Sequence, residues 1–326
     1  MLLTQKALGR SGLSLPVLGF GGSRIVNNTV LEINDCLISA FSAGMTYLDT
    51  APFYGLGHSE RLLGDALQGV QQSYLISTKI GRLLRADSAG HRVPIFDYSF
   101  EGAQVSLNES LQRLRLDAVD IAILHDVSAR WHGEKVDQVF ESALKGAYKA
   151  MEHWRHEGVV KAIGIGINDC RIAQRALAEA DFDFIMLAGR TTLLDQQGFD
   201  AVLPSCETKK VGLIAAAPFN SGILASGNQP GALFFSKKPP PEITHRTQQI
   251  EALCALHQVP MRAAALQLPM SHPSMTCVLA GYENLSQVMN NMKLSQFPIP
   301  TDFWLALHKQ SLLTESALAS VLAGCL

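Results

Sequence analysis

Eight short apolar runs recur along the chain, each followed by a longer stretch of mixed polarity, and this alternation restricts the fold more than any other feature. The runs are SLPVLGFG (14–21), MTYLDT (45–50), SYLISTK (73–79), DAVDIAILH (117–125), VKAIGIG (160–166), FDFIMLA (182–188), VGLIAAA (211–217) and MTCVLAG (275–281). Several are apolar throughout, as parallel strands covered on both faces require. The stretches between them carry helical spacing and helical stops. In VFESALKGAYKAMEHWRHEG, Phe140, Ala143, Leu144, Ala147, Tyr148 and Met151 recur at three- and four-residue steps, the last turn is basic, and Gly158 supplies a stop. Strand and helix repeated eight times predict an α/β chain whose parallel sheet closes into a (β/α)8 TIM barrel. An open doubly wound sheet is the rival, but no G-x-G-x-x-G follows an early strand. A barrel also accommodates all 326 residues as a single domain, 1–326.

Two long irregular stretches break the rhythm, GRLLRADSAGHRVPIFDYS (81–99) and PFNSGILASGNQPGALFFSKKPPPE (218–242). Both follow a strand, so in a barrel both rise as long βα loops from the C-terminal face, where active sites are built. Hydrophobic residues make up 47% of the chain and charged ones 17%, enough for a large core and far from a disordered composition. The net charge is −2 with the signs interspersed, which argues against a nucleic-acid partner. Six cysteines, Cys36, Cys170, Cys206, Cys254, Cys277 and Cys325, form no C-x-x-C pair and read as mostly reduced, buried thiols. No apolar run reaches membrane-spanning length, and the first residues carry no sustained apolar signal segment. The expected setting is cytoplasmic, with a small-molecule substrate, no membrane partner, and a monomer or small homo-oligomer.

The chemistry gathers at strand ends. The second run ends at Asp49, the third at Lys79 and the fourth at His125; Asn168 follows the fifth, and Tyr54 lies on the loop after Asp49. Singly, each has an ordinary reading: Asp49 as a helix cap, Lys79 as a surface residue, His125 and Tyr54 as hydrogen-bonded packing. Jointly, a barrel brings them to one opening. A tyrosine titrates near ~10, too high for proton transfer at neutral pH. A neighbouring ammonium favours the phenolate, and a buried ammonium needs a carboxylate partner. Asp49 holding Lys79, Lys79 tuning Tyr54, and His125 at the reacting oxygen make proton-transfer machinery for a carbonyl and its alcohol. There is no metal-ligand cluster and no nucleophilic serine or cysteine motif, so the electrons move most simply as hydride to a nicotinamide.

DTAPFYG followed by GHSERLLG, then STKIG and ILHD, resembles the aldo-keto reductase superfamily, and the likeness runs from LGFGG to YENLSQVMNN. The resemblance implies a barrel that binds its nicotinamide without a Rossmann fold and a catalytic tetrad of Asp49, Tyr54, Lys79 and His125. It implies cofactor contacts at Gly22 and at Asn168, which falls where the family holds the carboxamide. Phe219, Asn220, Ser221, Gly222 and Leu224 match its pyrophosphate loop, and Gly281, Glu283, Gln287 and Asn291 its adenosine segment. Two departures stand out: GIGINDC replaces the usual Ser-Asn after the fifth strand, and Ala188 replaces a common glutamine after the sixth. With HDV and PFNSGIL, these are more similar to the aldose 1-dehydrogenase branch than to the general reductases.

That branch implies oxidation of the anomeric carbon of L-fucose, D-arabinose or L-galactose to a lactone. Pyridoxal 4-dehydrogenase, an NADPH-dependent carbonyl reductase and, from another class, a cofactor-sensing regulatory subunit are the alternatives. Phe53, Trp131 and His132 are candidates to line the pocket or to pack the loops together. The segment 281–291 has no Lys or Arg to meet a 2′-phosphate and offers Glu283 to a ribose hydroxyl, so NAD is expected over NADP.

Overall fold

The fifth run, AIGIGI, shows how the barrel solves its packing. In the computed structural model, which describes residues 2–324, this run is the strand Ala162–Ile167. Ile163, Ile165 and Ile167 point outward into the core shared with the helices. Ala162 points inward, and a Cβ on Gly164 would lie 2.4 Å from the ring of Phe184. Small residues inside and large ones outside let the neighbouring strand fill the barrel axis with an aromatic ring.

The strands in chain order are β1 (Gln5–Ala7), β2 (Ser14–Pro16), β3 (Leu18–Gly21), β4 (Tyr47–Asp49), β5 (Leu75–Ile80), β6 (Arg82–Ala86), β7 (Arg92–Phe96), β8 (Ile121–His125), β9 (Ala162–Ile167), β10 (Phe184–Ala188), β11 (Gly212–Ala216) and β12 (Met275–Gly281). β3, β4, β5, β8, β9, β10, β11 and β12 close into a parallel barrel in that order, with β12 pairing back to β3. All eight expected strands are its staves, and the α/β barrel is the observed fold. The first run is divided: its start is β2, which pairs with β1 in an antiparallel hairpin under the barrel. From this hairpin Leu8 and Leu15 fill the interior. Lys6 Nζ donates to the carbonyls of Met270 (3.2 Å), His272 (3.0 Å) and Met275 (3.1 Å), tying the floor to the start of β12.

Two expectations are corrected. The stretch 81–99 is not irregular: β6 and β7 pair antiparallel from Arg82↔Phe96 to Ala86↔Arg92. Its outer end is exposed, whereas Arg82, Leu83 and Leu84 are buried, so the ribbon has an anchored base and a solvated tip. The helix expected over 139–158 is broken into Val136–Lys145 and Ala147–His156. The break is at Gly146, where a Cβ would fall 2.3 Å from the Tyr98 carbonyl, and the Ala147 amide donates to that carbonyl at 2.7 Å. An apolar period continues across a break of this kind, so periodicity does not reveal it. Cys36, Cys206, Cys254 and Cys277 are buried free thiols and Cys170 is half-buried; Cys325 lies outside the described residues. Among the described residues no helix is long and apolar enough to cross a membrane.

The motif GHSERLLG belongs to this framework. Ser59 Oγ donates to the Gly22 carbonyl (2.7 Å) and bonds Thr50 Oγ1 (2.8 Å), joining the loops after β3 and β4. Glu60, fully buried, accepts from Thr78 Oγ1 (2.7 Å) and Arg113 Nε (2.5 Å), so it holds the residue before Lys79. Gly64 lets the helix His58–Ala66 touch the end of the helix Phe100–Leu114, since a Cβ there would lie 2.2 Å from the Leu114 carbonyl oxygen. Gly64→Ala is therefore expected to lower stability by about 1–3 kcal/mol, the usual cost of overpacking. A urea midpoint equal to that of the unmodified protein would contradict this contact's importance.

Candidate active site

Asp49 is the last residue of β4 and lies opposite Ser77 of β5, two residues before Lys79. Side chains alternate along a strand, so Ser77 and Lys79 share the inward face, and both reach the same carboxylate. Lys79 Nζ donates to Asp49 Oδ1 (2.7 Å), Asp49 Oδ2 (2.6 Å) and the Thr50 carbonyl (2.9 Å), while Ser77 Oγ donates to Asp49 Oδ1 (2.7 Å). Each side chain of this ion pair is only 2% exposed. Burial alone pushes the Lys79 ammonium down, but Asp49 and then Tyr54 outweigh it and hold the group above its ordinary value.

Tyr54 arrives from the loop after β4, its ring centroid 4.8 Å from Lys79 Nζ. The ring of His125, at the end of β8, stands nearly perpendicular to it at 6.3 Å between centroids. Burial pushes the Tyr54 phenol above its ordinary value; Lys79 pulls in the opposite direction, and Asp49 adds to the rise. The expected lowering by Lys79 is thus present and is outweighed by burial. His125 is held well below its ordinary value by burial, then by Lys79 and Arg82, so it is neutral at physiological pH. These four residues line one cavity of about 160 Å³ together with Asp126, Asn168, Ala188 and Gly281. A larger crevice of about 480 Å³ meets it at Asn168, but contains neither a tyrosine nor a histidine.

The other expected contacts are distributed unevenly. Asn168 and Gly281 face the cavity; Gly22 packs beneath Ser59 and Asp49, and its neighbours Gly21 and Ser23 line the cavity instead. Asn220 is buried, with its amide donating to the Gly189 carbonyl (3.2 Å) and its oxygen accepting from Thr192, so its side chain serves the loop. Ser221 Oγ accepts from the Ser236 amide (2.9 Å), Gly222 has φ +109, and Leu224 is buried in the core. Phe219 is half-buried, 5.8 Å from the Arg262 guanidinium, which also donates to Asn291 Oδ1 (3.1 Å). Gln287 is bonded to Glu283 through the Glu283 amide (3.0 Å) and carboxylate (3.2 Å).

The expectation of an adenosine segment without a nearby cation does not hold. Arg24, from the turn after β3, folds over Gly281 and pairs with Glu283, its Nε donating to Oε1 at 2.9 Å. Arg24 and Arg262 lie far from 281–291 in the chain, and no local pattern announces their approach. Arg82 and Asp126 were also missed, although Asp126 closes the motif ILHD and Arg82 directly follows STKIG, three residues after Lys79. Phe53 and Trp131 pack against Arg82, at 3.9 and 4.1 Å from ring centroid to guanidinium carbon, and His132 packs on Phe96.

Residues 17–310 match the aldo/keto reductase family. The chain is 37% identical to a D-threo-aldose 1-dehydrogenase from Pseudomonas sp, over 96% of this chain and 99% of that one. It is 32% identical to a pyridoxal 4-dehydrogenase from Microbacterium luteolum, over 95% and 98% of the two chains. The solved holo form of an aldo-keto reductase from Bacillus halodurans shares the fold with a TM-score of 0.75 at 22% identity, covering 96% of this chain and 97% of that one. The chain belongs to the aldo/keto reductase family and is a nicotinamide-dependent oxidoreductase acting on CH–OH groups.

Proposed function

We propose that this enzyme oxidises the anomeric carbon of a small aldose to its lactone with NAD, Tyr54 moving the proton. The carrying observation is the convergence of a phenol, a carboxylate-bound ammonium and a neutral imidazole on one cavity. The D-threo-aldose 1-dehydrogenase likeness supports the aldose reading. The pyridoxal 4-dehydrogenase likeness, with the rings of Phe53, Phe96 and Trp131 grouped around Arg82, keeps pyridoxal hemiacetal as the second reading.

The residues present fit a nicotinamide dinucleotide. Gly21, Ala188, Ala216 and Gly281 leave open space beside Tyr54, and Asn168 brings an amide to its edge. Asn220, Ser221 and Gly222 all have positive φ, and the Asn220 and Gly222 amides donate to the carbonyls of Ala217 (3.0 Å) and Phe219 (2.9 Å), which holds this loop in a tight turn after β11. Arg262 Nε is buried without a partner nearby. When bound, the oxidised nicotinamide supplies the hydride acceptor and a positive charge. Lys79 favours the Tyr54 phenolate, which takes the proton of the C1 hydroxyl as C1 becomes the lactone carbonyl. Neutral His125 hydrogen-bonds the same oxygen and fixes its direction. In the reverse direction the phenol returns the proton.

The test is turnover of L-fucose, D-arabinose, L-galactose and pyridoxal with each cofactor, followed by the absorbance of the reduced nicotinamide. Turnover of pyridoxal alone, or of none of the four, would remove the aldose reading. For the cofactor, Glu283 already neutralises Arg24, and a 2′-phosphate would meet that carboxylate. We expect NAD to be preferred by about ten- to a hundredfold in kcat/KM, the scale of one charge contact at a partly exposed site. Glu283→Ala frees Arg24 and should shrink the preference; an unmodified protein that prefers NADP would show that the phosphate is held elsewhere.

A further inference from the structure

One carboxylate at the cavity has no part in the proton transfer. Asp126 follows His125, takes φ +59, a conformation aspartate tolerates better than most residues, and lines the cavity beside Tyr54, Lys79 and His125. Its Oδ2 lies 3.3 Å from His125 Nε2 and 3.1 Å from Arg82 Nη2. Arg82 is an unusual partner. Its side chain is 2% exposed, its guanidinium carbon lies 3.9, 4.1 and 4.6 Å from the ring centroids of Phe53, Trp131 and Phe96, and none of its nitrogens makes a well-directed hydrogen bond. A charge pair buried this way, with so few bonds of its own, is a poor device for stability. Its value lies in holding a charged acceptor at the cavity wall.

We infer that Asp126, held in place by Arg82, recognises the substrate by accepting a hydrogen bond from the hydroxyl on the carbon next to the reacting one. This rests on the aldose reading above. Neighbouring oxygens of a vicinal diol lie about one hydrogen-bond length apart. An oxygen positioned by Tyr54 and His125 therefore brings the adjacent hydroxyl against a carboxylate 3.3 Å from the same imidazole. An ionised carboxylate has about four acceptor positions, so it can serve both Arg82 and a substrate hydroxyl. Burial holds the Asp126 carboxyl above its ordinary value, and Arg82 and then Trp131 pull against that rise. The substrate class that follows is a neutral hemiacetal with a vicinal hydroxyl. A phosphate or carboxylate at that position would be repelled.

The experiment compares kcat/KM for D-arabinose and its 2-deoxy counterpart, 2-deoxy-D-erythro-pentose, or the corresponding pair for whichever panel aldose is turned over best. The unmodified enzyme should favour the parent sugar by about a hundredfold, the scale of one hydrogen bond to a charged group. Asp126→Ala should bring the two within about threefold of each other by slowing the parent alone. Asp126→Asn keeps the shape without the charge and should lie between. Because removing one member strands a buried charge, Arg82→Met with Asp126→Ala is made as well, and cofactor binding by fluorescence titration verifies that each variant is folded. Equal kcat/KM for the two sugars in the unmodified enzyme overturns the inference. So does an equal loss on both in Asp126→Ala, which would mean that the carboxylate acts on His125. Failure to turn over any aldose instead removes the reading on which it rests, and the inference with it.

Discussion

Tyr54→Phe is expected to lower kcat by about 10²- to 10⁴-fold, the span over which a positioned proton donor or acceptor contributes. Phenylalanine keeps the ring that packs against Lys79 and His125 and deletes only the transferable proton, so cofactor binding should be nearly unchanged. In the oxidising direction the residue must be ionised to take the proton, so kcat/KM should climb with pH through the Tyr54 pKa. Burial sets that value above the ordinary one despite the pull of Lys79, which puts the limb on the alkaline side. Lys79→Met removes the pull and should move any surviving limb further up. Near-normal turnover by the phenylalanine variant would sink the proposed mechanism.

The second large effect belongs to Asp49. In Asp49→Ala the Lys79 ammonium, 2% exposed, loses its carboxylate and keeps the neutral Thr50 carbonyl and the Tyr54 phenol, and Ser77 loses its charged partner. Breaking a buried pair from one side costs about 3–5 kcal/mol. Asp49 is also the leading influence raising the Lys79 pKa, so its loss leaves burial to push the lysine toward its neutral form. Stability and activity should then fall together. The double variant Asp49→Ala with Lys79→Met should recover much of the stability, because no charge is stranded, while remaining inactive. The denaturation midpoints of the three proteins decide the matter: an Asp49→Ala midpoint equal to the unmodified one would mean that the ammonium finds another counter-charge.

Asp49, Lys79 and His125 were legible because strand ends are local: a carboxylate or imidazole closing an apolar run is visible within six residues. Barrel closure was legible for the same reason, since each stave carries its own continuous apolar signature. The resemblance added the roles. What stayed hidden depends on contacts between distant segments. The break at Gly146 is imposed by the Tyr98 carbonyl, some fifty residues away in the chain. The ribbon β6–β7 has polar, apolar and proline residues in no clean alternation, because its base is buried and its tip is not. Arg24 reaches Glu283 across 259 positions, so a reading confined to 281–291 found a carboxylate and missed its cation. Asp126 was quoted within a motif, yet its meaning comes from Arg82, whose burial among three rings no local pattern announces.

The floor of the barrel has a consequence for synthesis. Lys6 finds its acceptors 264 to 269 positions later, and β3 receives one of its two neighbours only when β12 exists. A ribosome adding roughly 5–20 residues per second needs on the order of tens of seconds to cover that distance. Until β12 emerges, any part of the parallel sheet already formed has an unpaired edge at β3 and an apolar interior not yet sealed around Leu8 and Leu15. The species most exposed to aggregation is thus a long, unfinished chain lacking β12, and it is there that chaperones have most to protect.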